Sequence, residues 1–131
     1  MSHFTQVETK FHNLLILKKV IEELGYTWRE GSQHVQVRGY RGQKLDADIV
    51  IDTKSSYDIG VVATEDGYTF VGDWDMIMTR AGIEQDEFMK KVTQRYSYHT
   101  VMEEIKKKGY EVVEETTGVE QTVKLVVRKW E

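Results

Sequence analysis

The chain has 131 residues, 40% hydrophobic and 31% charged, with no cysteine and no proline. That is enough chain to bury a core, and the missing cysteine excludes disulfides, thiolate nucleophiles and cysteine-ligated metals. A net charge of −4 argues against general nucleic-acid binding, which rests on cations set against phosphates, and leaves only a local basic patch for that role.

The charge is uneven. Residues 1–44 hold seven basic and four acidic groups, 45–75 one basic and eight acidic, and 76–131 ten of each. No apolar run approaches the roughly 18 residues of a membrane span, and the start MSHFTQVETK lacks an apolar leader core. The expectation is a soluble cytoplasmic protein, one domain over 1–131, with no membrane attachment.

In chain order, Met1 to Phe11 reads as a first strand anchored by Phe4, Val7 and Phe11. Asn13 is set to cap the helix LLILKKVIEEL, whose Leu14, Leu17, Val20, Ile21 and Leu24 share one face. Gly25 stops it, Tyr26 and Trp28 open a short strand, and a turn near Gly31-Ser32 leads to a strand over His34–Tyr40. After the loop Gly39–Gln43, KLDADIVID alternates. Leu45, Ala47, Ile49 and Ile51 take one face; Asp46, Asp48, Val50 and Asp52 take the other. IGVVATE and YTFVGDW form a hairpin about Asp66-Gly67, a pair that tolerates positive φ. Residues 75–83 read as a helical turn plus loop ending at Gly82.

From Asp86 a long helix carries two apolar stripes. Phe88, Val92, Tyr96 and His99 form one; Tyr98, Val101, Met102 and Ile105 form the other. The stripe shifts near Arg95–Ser97, so either the helix bends or its halves meet different neighbours. Lys106–Lys108 and Gly109 end it. YEVVEE and TVKLVVRKW follow as strands joined through Thr117-Gly118. Leu17 and Ile105 hold matching places before the two Gly-Tyr stops and read as equivalent core positions, an echo compatible with an αββ pseudo-repeat.

The fold class expected is α+β. An antiparallel or mixed β-sheet of about five to seven strands would carry the two main helices on one face.

Several strings, in order over nearly the whole chain, resemble a known family. They are Met1-Ser2-His3-Phe4, Leu17-Lys18-Lys19, Leu24-Gly25-Tyr26 and Gly39-Tyr40-Arg41-Gly42-Gln43, then Tyr57-Asp58-Ile59-Gly60, Gln94–Tyr98 and Lys124–Arg128. The family is the one named after hypothetical chloroplast reading frame thirty-five, a domain of unknown function in algal plastids, cyanobacteria and other bacteria. The resemblance implies a small soluble protein of plastid or bacterial cytoplasmic type. It brings no activity, cofactor or catalytic residue.

The loop Arg38, Gly39, Tyr40, Arg41, Gly42, Gln43 and Lys44 is the most distinctive binding candidate. Glycines free its backbone, a tyrosine offers a stacking face and three cations surround it, which suits a phosphate, a base or an acidic peptide. No Gly-Lys-Ser/Thr follows, so it is not a phosphate loop of the nucleotidase kind; the plain alternative is a solvent-exposed connection. Asp46, Asp48 and Asp52 form an acidic face, with Asp58, Asp73 and Asp75 expected nearby. A hard cation or a solvated sheet face both account for it. His99 reads as a hydrogen-bonded, partly buried histidine, His3 and His34 as a weak metal pair, and His12 as neither. Trp28, Trp74, Trp130, Tyr68 and Phe70 read as packing.

No nucleophile–base pair or cofactor loop is present, so no catalytic residue, metal ligand or cofactor is assigned. The leading expectation is a non-catalytic binding or adaptor module with a protein partner not yet identified. It would use the Gly39–Lys44 loop and the acidic face, whose opposite charges also permit homo-oligomers. The alternatives are a nucleic-acid- or nucleotide-associated protein using that basic loop and, weakest, a metal-dependent enzyme using Asp46, Asp48 and a histidine.

Overall fold

The computed structural model describes residues 5–30, 35–39, 42–117 and 123–129, with backbone alone for 5–10, 35 and 123. Sequence features assigned to Phe4, His3, His34, Tyr40, Arg41, Trp130, Gly31-Ser32 and Gly118 lie outside the described residues. In chain order the elements are β1 (Thr5–Phe11), α1 (Leu14–Glu23), β2 (Thr27–Arg29), β3 (Val35–Arg38), β4 (Lys44–Ala47) and β5 (Ile49–Asp52). They continue with β6 (Ile59–Thr64), β7 (Gly67–Gly72), α2 (Trp74–Ala81), α3 (Gln85–Lys107), β8 (Tyr110–Thr117) and β9 (Val123–Lys129). The α+β class is observed.

Five strands form one antiparallel sheet in the order β1-β7-β6-β5-β2. Register places Ile49 opposite Val61, Ile51 opposite Ile59, and Val61 opposite Phe70, so one face is a continuous apolar surface. Both main helices add to the core on that face: Ile16, Leu17, Val20 and Ile21 from α1, Phe88 and Val92 from α3. Phe70 is edge-on to Phe11 of the neighbouring strand at 5.9 Å and, across the layers, to Phe88 of α3 at 5.5 Å.

The helix ends follow local chemistry. Asn13 caps α1 by accepting the Ile16 N–H at 3.1 Å. The Tyr96 hydroxyl of α3 accepts the backbone N–H groups of His12 (3.1 Å) and Asn13 (3.0 Å), which satisfies donors just ahead of the helix that no turn can reach. Residues 75–83, expected as a turn and loop, are mostly helix. Asp73 is the N-cap of α2, fully buried and accepting the Met76 N–H at 3.4 Å, and Gly82 ends the helix at φ +70°.

Three other expectations change. KLDADIVID is not one strand: it breaks at Asp48, β4 pairs with β3, and β5 stays in the main sheet. The break brings Ala47 to the same side as Val50, where both are buried with Val37 on the second face. The β6–β7 hairpin forms as expected, but its two loop residues are Glu65-Asp66 and only Gly67, at φ +122°, takes positive φ. The β8–β9 pair forms a separate two-stranded sheet. Gly25 and Gly109 are alike in φ (+92° and +77°), yet β2 pairs with β5 whereas β8 pairs with β9, so the two Gly-Tyr units are wired differently.

The β3–β4 ribbon lies over Gly60. A Cβ there would sit 2.4 Å from a Val37 methyl and 3.2 Å from Ala47 Cβ. Gly60→Ala should therefore cost about 1–3 kcal/mol through overpacking. The cost should shrink in a Val37→Ala background, measured as a double-mutant cycle of urea midpoints. Additive effects would remove the ribbon from its place over the sheet.

Candidate binding site

Arg38, which precedes the Gly39–Lys44 loop, is held by an ion pair to a buried carboxylate. Asp58, immediately before β6, has no solvent exposure. Its carboxylate is fully engaged: Arg38 Nε donates to Oδ2 at 2.9 Å, Arg38 Nη2 to Oδ1 at 2.9 Å and the Arg38 backbone N–H to Oδ2 at 2.9 Å. Arg29 Nη2 stands 3.8 Å from the same Oδ2. A fork of guanidinium donors on both oxygens is what makes a buried carboxylate tolerable. The hydrogen bond to Asp58 holds the Arg38 guanidinium more firmly protonated than usual, ahead of the opposing effect of burial.

Arg38 Nη2 also donates to the Ser55 carbonyl at 2.9 Å, which ties the ribbon to the β5–β6 loop. That loop is stitched internally. Asp52 Oδ1 accepts the Lys54 N–H at 2.7 Å, the Ser55 hydroxyl accepts the Tyr57 N–H at 3.1 Å, and the Thr53 hydroxyl donates to the Tyr57 carbonyl. Lys54 is held at φ +62°, the one non-glycine positive φ among the described residues, a conformation that persists only where surrounding bonds enforce it. On the other side, Gly39 N–H donates to the Gln43 carbonyl at 2.8 Å and Gly42 turns at φ +76°.

Between the two loops lies an open cleft of ≈ 360 Å³ lined by Arg38, Gly39, Gly42, Gln43, Lys44, Ser56 and Tyr57. Among the described residues its lining holds cationic, hydroxyl and amide groups and no carboxylate. Of the sequence candidates, Arg38, Gln43 and Lys44 line it; Ser56 and Tyr57, not read as binding candidates in the sequence, join them from the β5–β6 loop.

The acidic face does not assemble as expected. Asp46 is exposed on β4, whereas Asp48 Oδ2 accepts the Ala63 N–H at 2.8 Å at the strand break and Asp52 closes the Lys54 turn. With Asp58 paired and Asp73 capping α2, these acids are distributed among separate backbone tasks. Among the described residues, no three histidine, aspartate or glutamate side chains gather into a cation site.

A second polar cluster, unseen in the sequence, joins α1 to α3. Glu23 accepts from Arg95 Nε and, at 3.2 Å, from Arg95 Nη2, and its Oε2 lies 3.0 Å from His99 Nε2. Arg95 stacks 4.2 Å from the Tyr98 ring, and the Tyr98 hydroxyl donates to Glu115 of β8 at 2.8 Å. Glu23 is not among the residues of the apolar face of α1, and the packing of α3 against α1 supplies its partners. His99 is buried and hydrogen-bonded, as read from its helical face. The Arg95 hydrogen bond, and then His99, hold the Glu23 carboxyl below its ordinary value of 4.5 against burial, which raises it. A lowered folded value means stability that is present above the unfolded value and lost as pH falls through the folded one. Glu23→Gln should therefore lose melting temperature at neutral pH and converge on the parent below pH 4.5; parallel curves across that range would remove this linkage.

The chain matches the family model described as protein of unknown function (DUF1257) over residues 20–126. It is 33% identical over 133 residues to "Uncharacterized protein ycf35" of Cyanophora paradoxa, covering 99% of this chain and 98% of that one. Proteins of the same description from Pyropia yezoensis and Guillardia theta are each 32% identical over 130 residues, at 99% and 98% coverage. No solved structure matches the chain. No described helix is long and apolar enough to cross a membrane.

Proposed function

Because the chain belongs to the DUF1257 family, whose description carries no activity, its role has to be read from its own surface, and we propose a cytoplasmic, non-catalytic binding module that engages a protein partner at the Arg38–Lys44 cleft. The observation that supports this reading is the cleft itself: donor groups on two loops, with Arg38 held by the buried Asp58 carboxylate and no acid on the described lining. Preorganised donors reduce the ordering cost of binding.

Charge reversal tests this reading. Tagged full-length protein and its Lys44→Glu variant, expressed at equal level in the source cell, would be cross-linked and the stoichiometric companion quantified. The companion should fall at least about tenfold with the variant, as for loss of an attractive contact replaced by repulsion. Equal recovery by both proteins would take the cleft out of the interface.

A further inference from the structure

The way Arg38 is held narrows the chemistry the cleft accepts. A guanidinium presenting two parallel N–H groups binds carboxylates and phosphates alike, whereas a lysine ammonium binds phosphate as a point charge. Here that fork is already occupied: Nε and Nη2 bind Asp58, and Nη2 also binds the Ser55 carbonyl. What remains for a ligand among the described residues is a set of single donors: the Lys44 ammonium, the Ser56 hydroxyl, the Gln43 amide and the outer guanidinium nitrogen. Lys44 and Ser56 are both exposed, so neither must leave a buried partner to bind. Separated point donors suit a tetrahedral oxyanion, whose oxygens diverge, better than a planar acid. The surroundings agree: Asp46 and Asp52, acids adjacent in the chain, are outside the lining, and the one behind it, Asp58, is neutralised by Arg38. The strained Lys54 backbone and the Thr53–Tyr57 hydrogen bonds keep Ser56 on its side of the cleft rather than leaving it to a floppy loop.

We infer that the cleft is a phosphomonoester site, with Lys44 and Ser56 as its principal contacts and Arg38 as the fixed cation beneath. This rests on reading the cleft as the binding surface and adds the ligand's class. The phosphate arrives on a partner's side chain or on a small organic molecule, and the two sources share the same chemistry at the site.

The full-length protein, ¹⁵N-labelled, would be titrated with glycerol phosphate, with a phosphoserine peptide, with the same peptide unphosphorylated, and with acetate. Saturable shifts at the Gly42, Lys44 and Ser56 amides are expected with both phosphomonoesters and with neither control. Lys44→Ala and Ser56→Ala should each weaken binding at least about tenfold while leaving the melting temperature unchanged, and added salt should weaken it further. A peptide binding at least about tenfold tighter than glycerol phosphate assigns the source to a protein; equal affinity assigns it to a small molecule. No saturable shift at millimolar phosphate, an equal response to acetate, or unchanged affinity in both variants overturns the inference. If phosphate is silent while Lys44→Glu still loses the cellular companion, the ligand class fails and the binding-module reading stands. If phosphate binds and no companion depends on Lys44, that reading fails and the phosphate site stands.

Discussion

Arg38→Ala should destabilise the protein by about 3 kcal/mol, the low end of the cost of removing one partner from a buried charge pair. The reason is what it leaves behind. Asp58 has no solvent exposure, and without the guanidinium it keeps the Arg38 backbone N–H at 2.9 Å and a distant Arg29 at 3.8 Å. Those two contacts, and the partial exposure of the Arg38 side chain, place the expected loss below the upper limit for such pairs. Lys44→Ala, on the same cleft but exposed, should stay within about 0.5 kcal/mol of the parent. Replacing both members of the pair by apolar residues of similar volume (Arg38→Met with Asp58→Leu) should be less harmful than Arg38→Ala alone, because no stranded charge remains. Urea denaturation of the three proteins checks this. A loss under about 1 kcal/mol for Arg38→Ala would mean that water reaches Asp58 and that the cleft floor is not locked.

The second large effect separates two positions that look alike in the chain. Leu17→Ala should cost about 3–4 kcal/mol, since the side chain is fully buried between α1 and the sheet and its removal leaves a cavity. Ile105→Ala should cost about 1 kcal/mol, because a partly buried side chain outside the core clusters gives up less transfer free energy. Ile105 lies outside both buried clusters, and its neighbour Val101 is 47% exposed. The expectation of equal core roles is thereby corrected. Equal losses for Leu17→Ala and Ile105→Ala in urea melts would show that the end of α3 is covered after all.

Much of the fold was legible because it follows from short-range rules. Asn13 before an apolar run, Gly25 after it, and the hairpin signal between IGVVATE and YTFVGDW each act within a few residues, and each element appeared where those signals lie. The long stripe from Phe88 to His99 likewise reached the core, while the shifted stripe beyond it did not. α3 simply outlasts the sheet beneath it: its second half meets β8, a strand of a free-standing ribbon, and Tyr98 reaches Glu115 there. Helical spacing reports a face but not whether anything exists to cover it.

The candidate site divides in the same way. Arg38, Gln43 and Lys44 stood out by composition. Asp58 was read only as one acid near the acidic face and Ser56 was not singled out, since the importance of both lies in what folds against them.

By itself the sequence determined the α+β class, the Asn13 cap, the β6–β7 hairpin and the basic glycine loop, because dihedral preference, capping and periodicity act between neighbours along the chain. Only the tertiary structure decided that Asp48 breaks a strand, that Glu23 serves Arg95 and His99, and that Arg38 is committed to Asp58. Those outcomes depend on which groups lose water together, and burial is a property of the assembled layers rather than of any one segment.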